Sequence, residues 1–245
     1  MKRIFLVVAY DGTDYCGWQI QPNAPTVEAV LNKELSRLLR EDIHVIGASR
    51  TDAGVHALGN VCVFDTNTRI PPEKISYALN QSLPEDIVVQ QSREVAPDFH
   101  PRKCESRKTY EYRILNRTMK DPNCRRNTYF YHWELDVAAM QEAAAFLIGE
   151  HDFQSFCSPA TEAETTVRTI YALTVEKEGD LITIRITGNG FLYNMVRIIA
   201  GTLLEVGNGK RQPKGIPEIL EKKDRATAGP TAPACGLTLM GIEFL

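Results

Sequence analysis

Apolar and polar positions along the chain change rhythm every ten to fifteen residues, and each rhythm predicts an element. Residues 3–10 run through Ile4, Phe5, Leu6, Val7 and Val8, the composition of a buried strand. Asp11-Gly12-Thr13-Asp14 then reads as a turn. After Pro25-Thr26, apolar residues at Val27, Val30, Leu31, Leu35, Leu38 and Leu39 follow helical spacing. Two β-type runs, 43–46 and 59–64, flank a polar stretch. Pro71-Pro72 opens a second helix through Gln81, and 87–95 reads as a strand. The order is β-α-β-β-α-β.

The second half repeats this order loosely. A strand is predicted at 106–115 and a helix at 137–148, with Val137, Met140, Ala144, Leu147 and Ile148 on one side. Residues 166–177 and 181–187 predict a hairpin about Glu178-Gly179-Asp180. A strongly apolar helix over 192–206 stops at Gly207-Asn208-Gly209. A short helix near 216–221 and a strand over 237–244 complete the pattern. The predicted fold is α+β, with two ferredoxin-like (βαββαβ-type) halves, 1–100 and 101–245. Their sheets are expected to be mainly antiparallel and joined edge to edge, with helices on one face and a catalytic cleft between the halves.

Composition narrows the class. A hydrophobic content of 43% and a charged content of 24% are those of an ordinary globular protein. The net charge of −3 excludes a histone-like polycation, yet leaves room for local basic patches. No apolar run approaches the roughly 18 residues that span a bilayer. Met1-Lys2-Arg3 and the apolar residues behind it imitate a signal peptide, but the run is short and meets Tyr10-Asp11-Gly12, so it reads as a first strand. The six cysteines lack C-x-x-C or zinc-like spacing, and the five histidines lack a ligand motif. Free thiols in a reducing cytoplasm, and no metal, are expected.

Between the β runs lies Gly47-Ala48-Ser49-Arg50-Thr51-Asp52-Ala53-Gly54-Val55-His56-Ala57, longer than a plain turn needs. Two glycines permit unusual backbone, while Arg50, Asp52 and His56 place ionisable groups on a strand-borne loop, where function concentrates. A charged surface turn, with Arg50 and Asp52 solvating each other, is the plainer alternative. Residues 101–127 hold nine Lys or Arg (Arg102, Lys103, Arg107, Lys108, Arg113, Arg117, Lys120, Arg125, Arg126) against Glu105, Glu111 and Asp121, a natural place for a polyanion. Tyr110 and Tyr112 share a strand face with Lys108, as a base-stacking site would require or as ordinary core tyrosines would. Arg197 interrupts the apolar run 191–200; a guanidinium buried there calls for a carboxylate partner, unless its stem snorkels to solvent. Gly188-Asn189-Gly190 suits either a phosphate cradle or a strand-to-helix turn. Neither a P-loop nor a dinucleotide fingerprint is present, so no cofactor is expected.

These residues carry a resemblance. Arg50-Thr51-Asp52-Ala53-Gly54-Val55-His56-Ala57, Tyr10-Asp11-Gly12-Thr13, Gly17-Trp18-Gln19, Phe99-His100, Lys108-Thr109-Tyr110 and His151-Asp152-Phe153 are similar to motifs of TruA-type pseudouridine synthases. So are Val167-Arg168-Thr169-Ile170, Gly190-Phe191-Leu192-Tyr193-Asn194-Met195-Val196-Arg197 and Ala234-Cys235-Gly236-Leu237-Thr238-Leu239. Ser49 stands where the family usually has Gly, and Pro101-Arg102-Lys103 replaces a more typical Ala-Arg-Phe. The resemblance implies isomerisation of uridine to pseudouridine in the anticodon arm of tRNA, at tRNA positions 38, 39 and 40. It implies Asp52 as nucleophile, Tyr110 as base-stacking group, Arg197 as partner of the aspartate and Arg50 as the group that displaces the target nucleotide. Arg102, Lys103, Arg107, Lys108 and Arg168 are the expected RNA contacts. The family works without metal or organic cofactor, as a homodimer. The competing readings are a non-catalytic RNA-binding protein with two ferredoxin-like modules, and a hydrolase using Asp52 on a nucleoside.

Overall fold

The structure, a computed structural model, describes residues 1–159 and 163–245. Two compact units are present: Met1–Glu105 with Leu239–Leu245, and Ser106–Thr238. Strands and α-helices mix throughout.

In the first unit, β1 (Lys2–Tyr10) is followed by α1 (Val27–Leu39), β2 (Ile46–Gly47), β3 (His56–Thr66), α2 (Ile75–Leu79) and β4 (Ile87–Val95). The strands lie in the order β4-β1-β3, with β2 also on β3 and the last strand of the chain beside β3. β1 pairs antiparallel with both neighbours, Leu6 facing Cys62 on one side and Ser92 on the other. Its central position explains why its apolar run shows no alternation: Ile4, Leu6 and Val8 are fully buried on one face. On the other face Phe5 packs with Val61, Val63 and the rings of Phe99 and Phe244. α1 starts where Thr26 caps it, its hydroxyl accepting from the Ala29 amide, and buries Val27, Leu31 and Leu35 at four-residue spacing. The expected β run over 43–46 shrinks to β2, because only Ile46 and Gly47 meet β3, while β3 begins earlier, at His56. The second helix is a 3-10 turn at Pro72–Lys74 followed by the five residues of α2.

The second unit contains β5 (Ser106–Asn116), β6 (Tyr129–Tyr131), α3 (Val137–Ala145), β7 (Gly149–Asp152), β8 (Val167–Glu178), β9 (Leu181–Gly188), α4 (Met195–Gly207) and α5 (Ile216–Lys222). The chain ends in β10 (Leu237–Phe244). Here the strand order is β5-β9-β8-β7, antiparallel throughout, with β6 parallel to β5. The β8–β9 hairpin turns at Gly179, whose φ of +57° suits glycine. α4 is where the structure departs most from the sequence reading. It begins at Met195, because Asn194 takes φ +61° and breaks the helical path of the apolar residues before it. It also buries one carboxylate, Glu205, held by Lys210 and by Arg211 Nε at 2.5 Å. Burial pushes that carboxyl up, but the two cations outweigh it and hold Glu205 below the usual carboxylate range.

Candidate active site

The loop carrying Asp52 is built by contacts with residues 10–18. Gly47, which ends β2, lies under the Trp18 ring so closely that a Cβ there would sit 2.3 Å from Trp18 Nε1. The Ala48 amide donates to the Val61 carbonyl at 2.7 Å, and Asn60 Nδ2 donates to the Ser49 carbonyl at 3.1 Å. Thr51 is buried and anchored twice: its hydroxyl meets the Tyr10 hydroxyl at 2.8 Å, and its carbonyl accepts from the Trp18 amide at 3.0 Å. The Val55 amide then closes a turn onto the Asp52 carbonyl at 3.1 Å, with Gly54 at φ +76° as the third turn position requires. Gly54 itself donates to the Tyr15 carbonyl at 3.2 Å. Buried Thr51 and Val55 thus bracket a half-buried Asp52, with Arg50 exposed just ahead of it. A carboxylate carried on a turn tied at both ends is held in place for chemistry.

Two glycines make this wrapping possible. A Cβ at Gly12 would lie 2.0 Å from the Val55 carbonyl oxygen, and one at Gly17, whose φ is +88°, would lie 2.6 Å from the Thr51 carbonyl oxygen. The strings Tyr10-Asp11-Gly12-Thr13 and Gly17-Trp18-Gln19 are therefore the other half of the Asp52 loop.

The second unit holds the remaining predicted residues. Tyr110 on β5 is buried, its ring packed edge-on against Phe191 at 5.2 Å. Tyr112 is a core residue, with its hydroxyl donating to the Pro233 carbonyl at 2.8 Å and burial raising its pKa. The Asn189 amide donates to Thr169 O at 3.1 Å and its side chain accepts from Thr169 N at 3.0 Å, so Gly188-Asn189-Gly190 is a turn locked onto β8. Arg168 lies beside that turn. Its Nη1 donates to the Thr165 and Val167 carbonyls, and burial lowers its pKa.

Arg197 stands in the first turn of α4 and is half-buried, where the apolar run had suggested a mid-helix, buried position. Its Nε donates to the Ala232 carbonyl at 2.8 Å, and the Ala232 amide returns a bond to the Arg197 carbonyl at 3.1 Å. Nη1 donates to Asn194 Oδ1 at 2.9 Å. The helix start and the 230s segment hold the guanidinium plane from two sides.

The basic segment is less available than its composition implied. Arg102 Nε donates to the Gly47 carbonyl at 2.7 Å, at the base of the Asp52 loop. Arg107 lies over the Tyr171 ring at 5.0 Å, and Lys120 over Phe130 at 5.7 Å. Arg113 and Arg185 both pair with Glu111, a buried carboxylate between the two tyrosines of β5. Arg117 faces Asp180 at 3.5 Å. Lys103 is exposed and Lys108 half-buried. Among the described residues no His, Cys, Asp or Glu cluster is placed to hold a metal, all six cysteines are unpaired, and no helix is long and apolar enough to cross a membrane.

A carboxylate on a braced loop in the first unit, and in the second a buried tyrosine against another ring and an arginine fixed at a helix start, are side chains held as enzymes of any class hold reacting groups. The family comparison specifies the class: residues 6–102 and 143–244 match the family model described as tRNA pseudouridine synthase. The chain is 50% identical over 244 residues to the tRNA pseudouridine synthase A of Thermoanaerobacter sp. (strain X514), covering all of both chains. It is equally similar, with the same coverage, to the protein of that name from Brevibacillus brevis (strain 47 / JCM 6285 / NBRC 100599). To that of Clostridium acetobutylicum it is 47% identical over 244 residues, again covering all of both chains. The chain belongs to the tRNA pseudouridine synthase family, isomerases that convert uridine to pseudouridine in tRNA.

Sequence reasoning singles out Asp52, Tyr110 and Arg197, but does not find Glu111, Glu205 or the contact between Asp11 and His56. The resemblance strings contain Asp11 and His56 without saying what they touch.

Proposed function

We propose that the chain isomerises uridines 38, 39 and 40 in the anticodon stem-loop of tRNA, with Asp52 as the catalytic carboxylate. The observation that carries this reading is the bracing of the Asp52 loop by residues 10–18, which fixes one carboxylate among tied neighbours. Isomerisation breaks the glycosidic bond, turns the uracil in place and joins its C5 to the ribose C1′. No electrons and no group are gained or lost, so positioned side chains suffice. Asp52 supplies the anionic oxygen for bond cleavage. The target nucleotide leaves its stem for the pocket, with Arg50 filling its place. Tyr110, already stacked edge-on with Phe191, holds the freed base through its ring. Arg197 keeps the Asp52 carboxylate ionised and in one orientation, as a planar guanidinium does best.

Arg102, Lys103, Arg107, Lys108 and Arg168 serve the phosphates of the RNA. The enzyme acts as a homodimer in the cytoplasm, and its two halves are ferredoxin-like. The strand order β4-β1-β3-β2 of the first unit supports that last point, being the order of a split βαβ sheet.

The test is a product assay on anticodon stem-loop RNA. Tritium released from C5-labelled uridine, carbodiimide-reactive pseudouridine at positions 38 to 40 and an unchanged RNA mass are expected. Loss of a base would indicate hydrolysis. Binding without tritium release would indicate a non-catalytic module.

A further inference from the structure

We infer that His56 is a positioning residue for the Asp52 loop, acting through its Nδ1 on the Gly12 amide; this rests on the assignment of Asp52 to the reaction. His56 is buried at 6% exposure where the loop enters β3. There the β1–β3 ladder is irregular, with a register shift between Val8 and Tyr10. Just beyond it, the chain at Gly12 runs so close to the Val55 backbone that no side chain fits between them. The Gly12 amide is buried in this contact and would cost about 1–3 kcal/mol if left unpaired. It donates to His56 Nδ1, at 3.1 Å.

The bond assigns the chemistry of the ring. An amide N–H directed at Nδ1 places the lone pair there and the proton on Nε2, the neutral tautomer. Nε2 is buried and has no hydrogen-bond partner among the described residues, so Nδ1 is the working edge. Asp11 Oδ1, 3.2 Å from the same nitrogen, forms no hydrogen bond with an Nδ1 lone pair; it is held by the Thr13 amide at 3.0 Å and the Thr13 hydroxyl at 2.5 Å. Residues 10–18 are tied to residues 51–56 through Tyr10 to Thr51, Gly12 to His56, Tyr15 to Gly54 and Trp18 to Thr51. Of these, the His56 tie is made on the loop's side by a side chain that follows Asp52 by one turn, so it fixes where that turn ends. Displacing it moves the Asp52 carboxylate and leaves Lys103, Arg107, Lys108 and Arg168, the proposed phosphate contacts outside the loop, unchanged.

Two substitutions separate this role from general packing. Asparagine carries its amide oxygen at the distance from Cα that Nδ1 occupies, so His56→Asn keeps an acceptor for Gly12. Glutamine reaches the Nε2 position instead, so His56→Gln keeps polarity and bulk but loses the acceptor. Single-turnover tritium release with saturating enzyme, tRNA affinity and the thermal midpoint are measured for both, with Asp52→Asn alongside. The glutamine variant is expected to isomerise about ten- to a hundredfold more slowly, since misplacing a reacting group by around 1 Å has such an effect, and to bind tRNA within about twofold of wild type. The asparagine variant is expected within about threefold of the wild-type rate. A wild-type rate in His56→Gln, or a rate in His56→Asn as low as the glutamine variant's, overturns the inference. If the glutamine variant does not fold, the asparagine rate alone decides. An active Asp52→Asn protein would instead overturn the catalytic assignment on which the inference rests.

Discussion

The Asp52 loop and the basic segment at 101–127 are both polar stretches dense in ionisable residues, and the structure treats them in opposite ways. Around Asp52, backbone amides and carbonyls are bonded to distant partners on residues 10–18, and the loop is shaped by glycines with no room for a side chain. In the basic segment the side chains do the bonding: Arg113 goes to Glu111, Arg117 to Asp180, Arg107 to Tyr171 and Arg102 to the Gly47 carbonyl. A short motif can thus encode a backbone shape, while a run of cations encodes mostly its own local partners. The difference predicts which substitutions are severe and which are graded.

The largest effect is expected at Gly12. Gly12→Ala forces a Cβ against the Val55 backbone, which cannot move without pulling on Asp52. We expect roughly 3 kcal/mol or more of destabilisation, the upper end for overpacking, read as a lower denaturation midpoint. Gly179→Ala is the contrasting case: its φ is positive, as that of Gly12 is not, but nothing lies within 4 Å, so only the backbone cost of about 1 kcal/mol is expected. Equal effects would mean that the close approach at Gly12 is soft.

Glu111 tests the other side of the comparison. Glu111→Gln removes the charge that Arg113 and Arg185 share, and should cost about 1.5–3 kcal/mol, the range for hydrogen bonds to a charged group. If stability is unchanged, those arginines are not held by local pairing and are available to RNA.

Glu205 repeats the pattern with a pH signature. Its folded-state pKa lies below the unfolded value of 4.5, so its contribution is present above that pH and is lost as pH falls through the folded pKa. Glu205→Gln should therefore lower the thermal midpoint at pH 7 and reduce the wild-type loss of stability on acidification below about pH 4.5. Parallel acid limbs in the two proteins would remove Glu205 from the account.

The smallest effects per residue belong to the cations proposed to meet RNA. Replacing Arg102, Lys103, Arg107 and Lys108 together by Gln should reduce the slope of log affinity against log salt by about one unit for each of them that neutralises a phosphate. An unchanged slope would mean that all four are held as structurally as Arg113.

Much of this is legible in the sequence. The strands β1, β5, β8, β9 and β10 follow their apolar runs, and α1 follows both its spacing and its Thr26 cap. Asp52 stands out because carboxylate, guanidinium and glycines are packed into one inter-strand stretch. What escapes is set by single backbone states and by contacts distant in sequence. Nothing in the apolar periodicity of 191–200 marks Asn194 as the residue that turns to positive φ, so periodicity alone starts α4 early and places Arg197 too deep. Glu205 finds its cations five and six residues on, after a turn at Gly209, outside the i+3 and i+4 neighbours that helical spacing reveals. β6 and β7, of three and four residues, are too short to show a period. The fit of Gly12 against Val55 joins residues 43 apart in the chain, and one sequence holds no sign of it.

The most direct test of the central claim is tritium release by Asp52→Asn. The substitution keeps the size of the side chain and leaves the Asp52 carbonyl in its turn with Val55, but removes the anionic oxygen. Because nucleic-acid affinity comes mainly from phosphate contacts, tRNA affinity should stay within about threefold of wild type. Release of tritium from C5-labelled uridine should fall to background. A folded Asp52→Asn protein that binds tRNA and releases tritium at the wild-type rate would contradict the account.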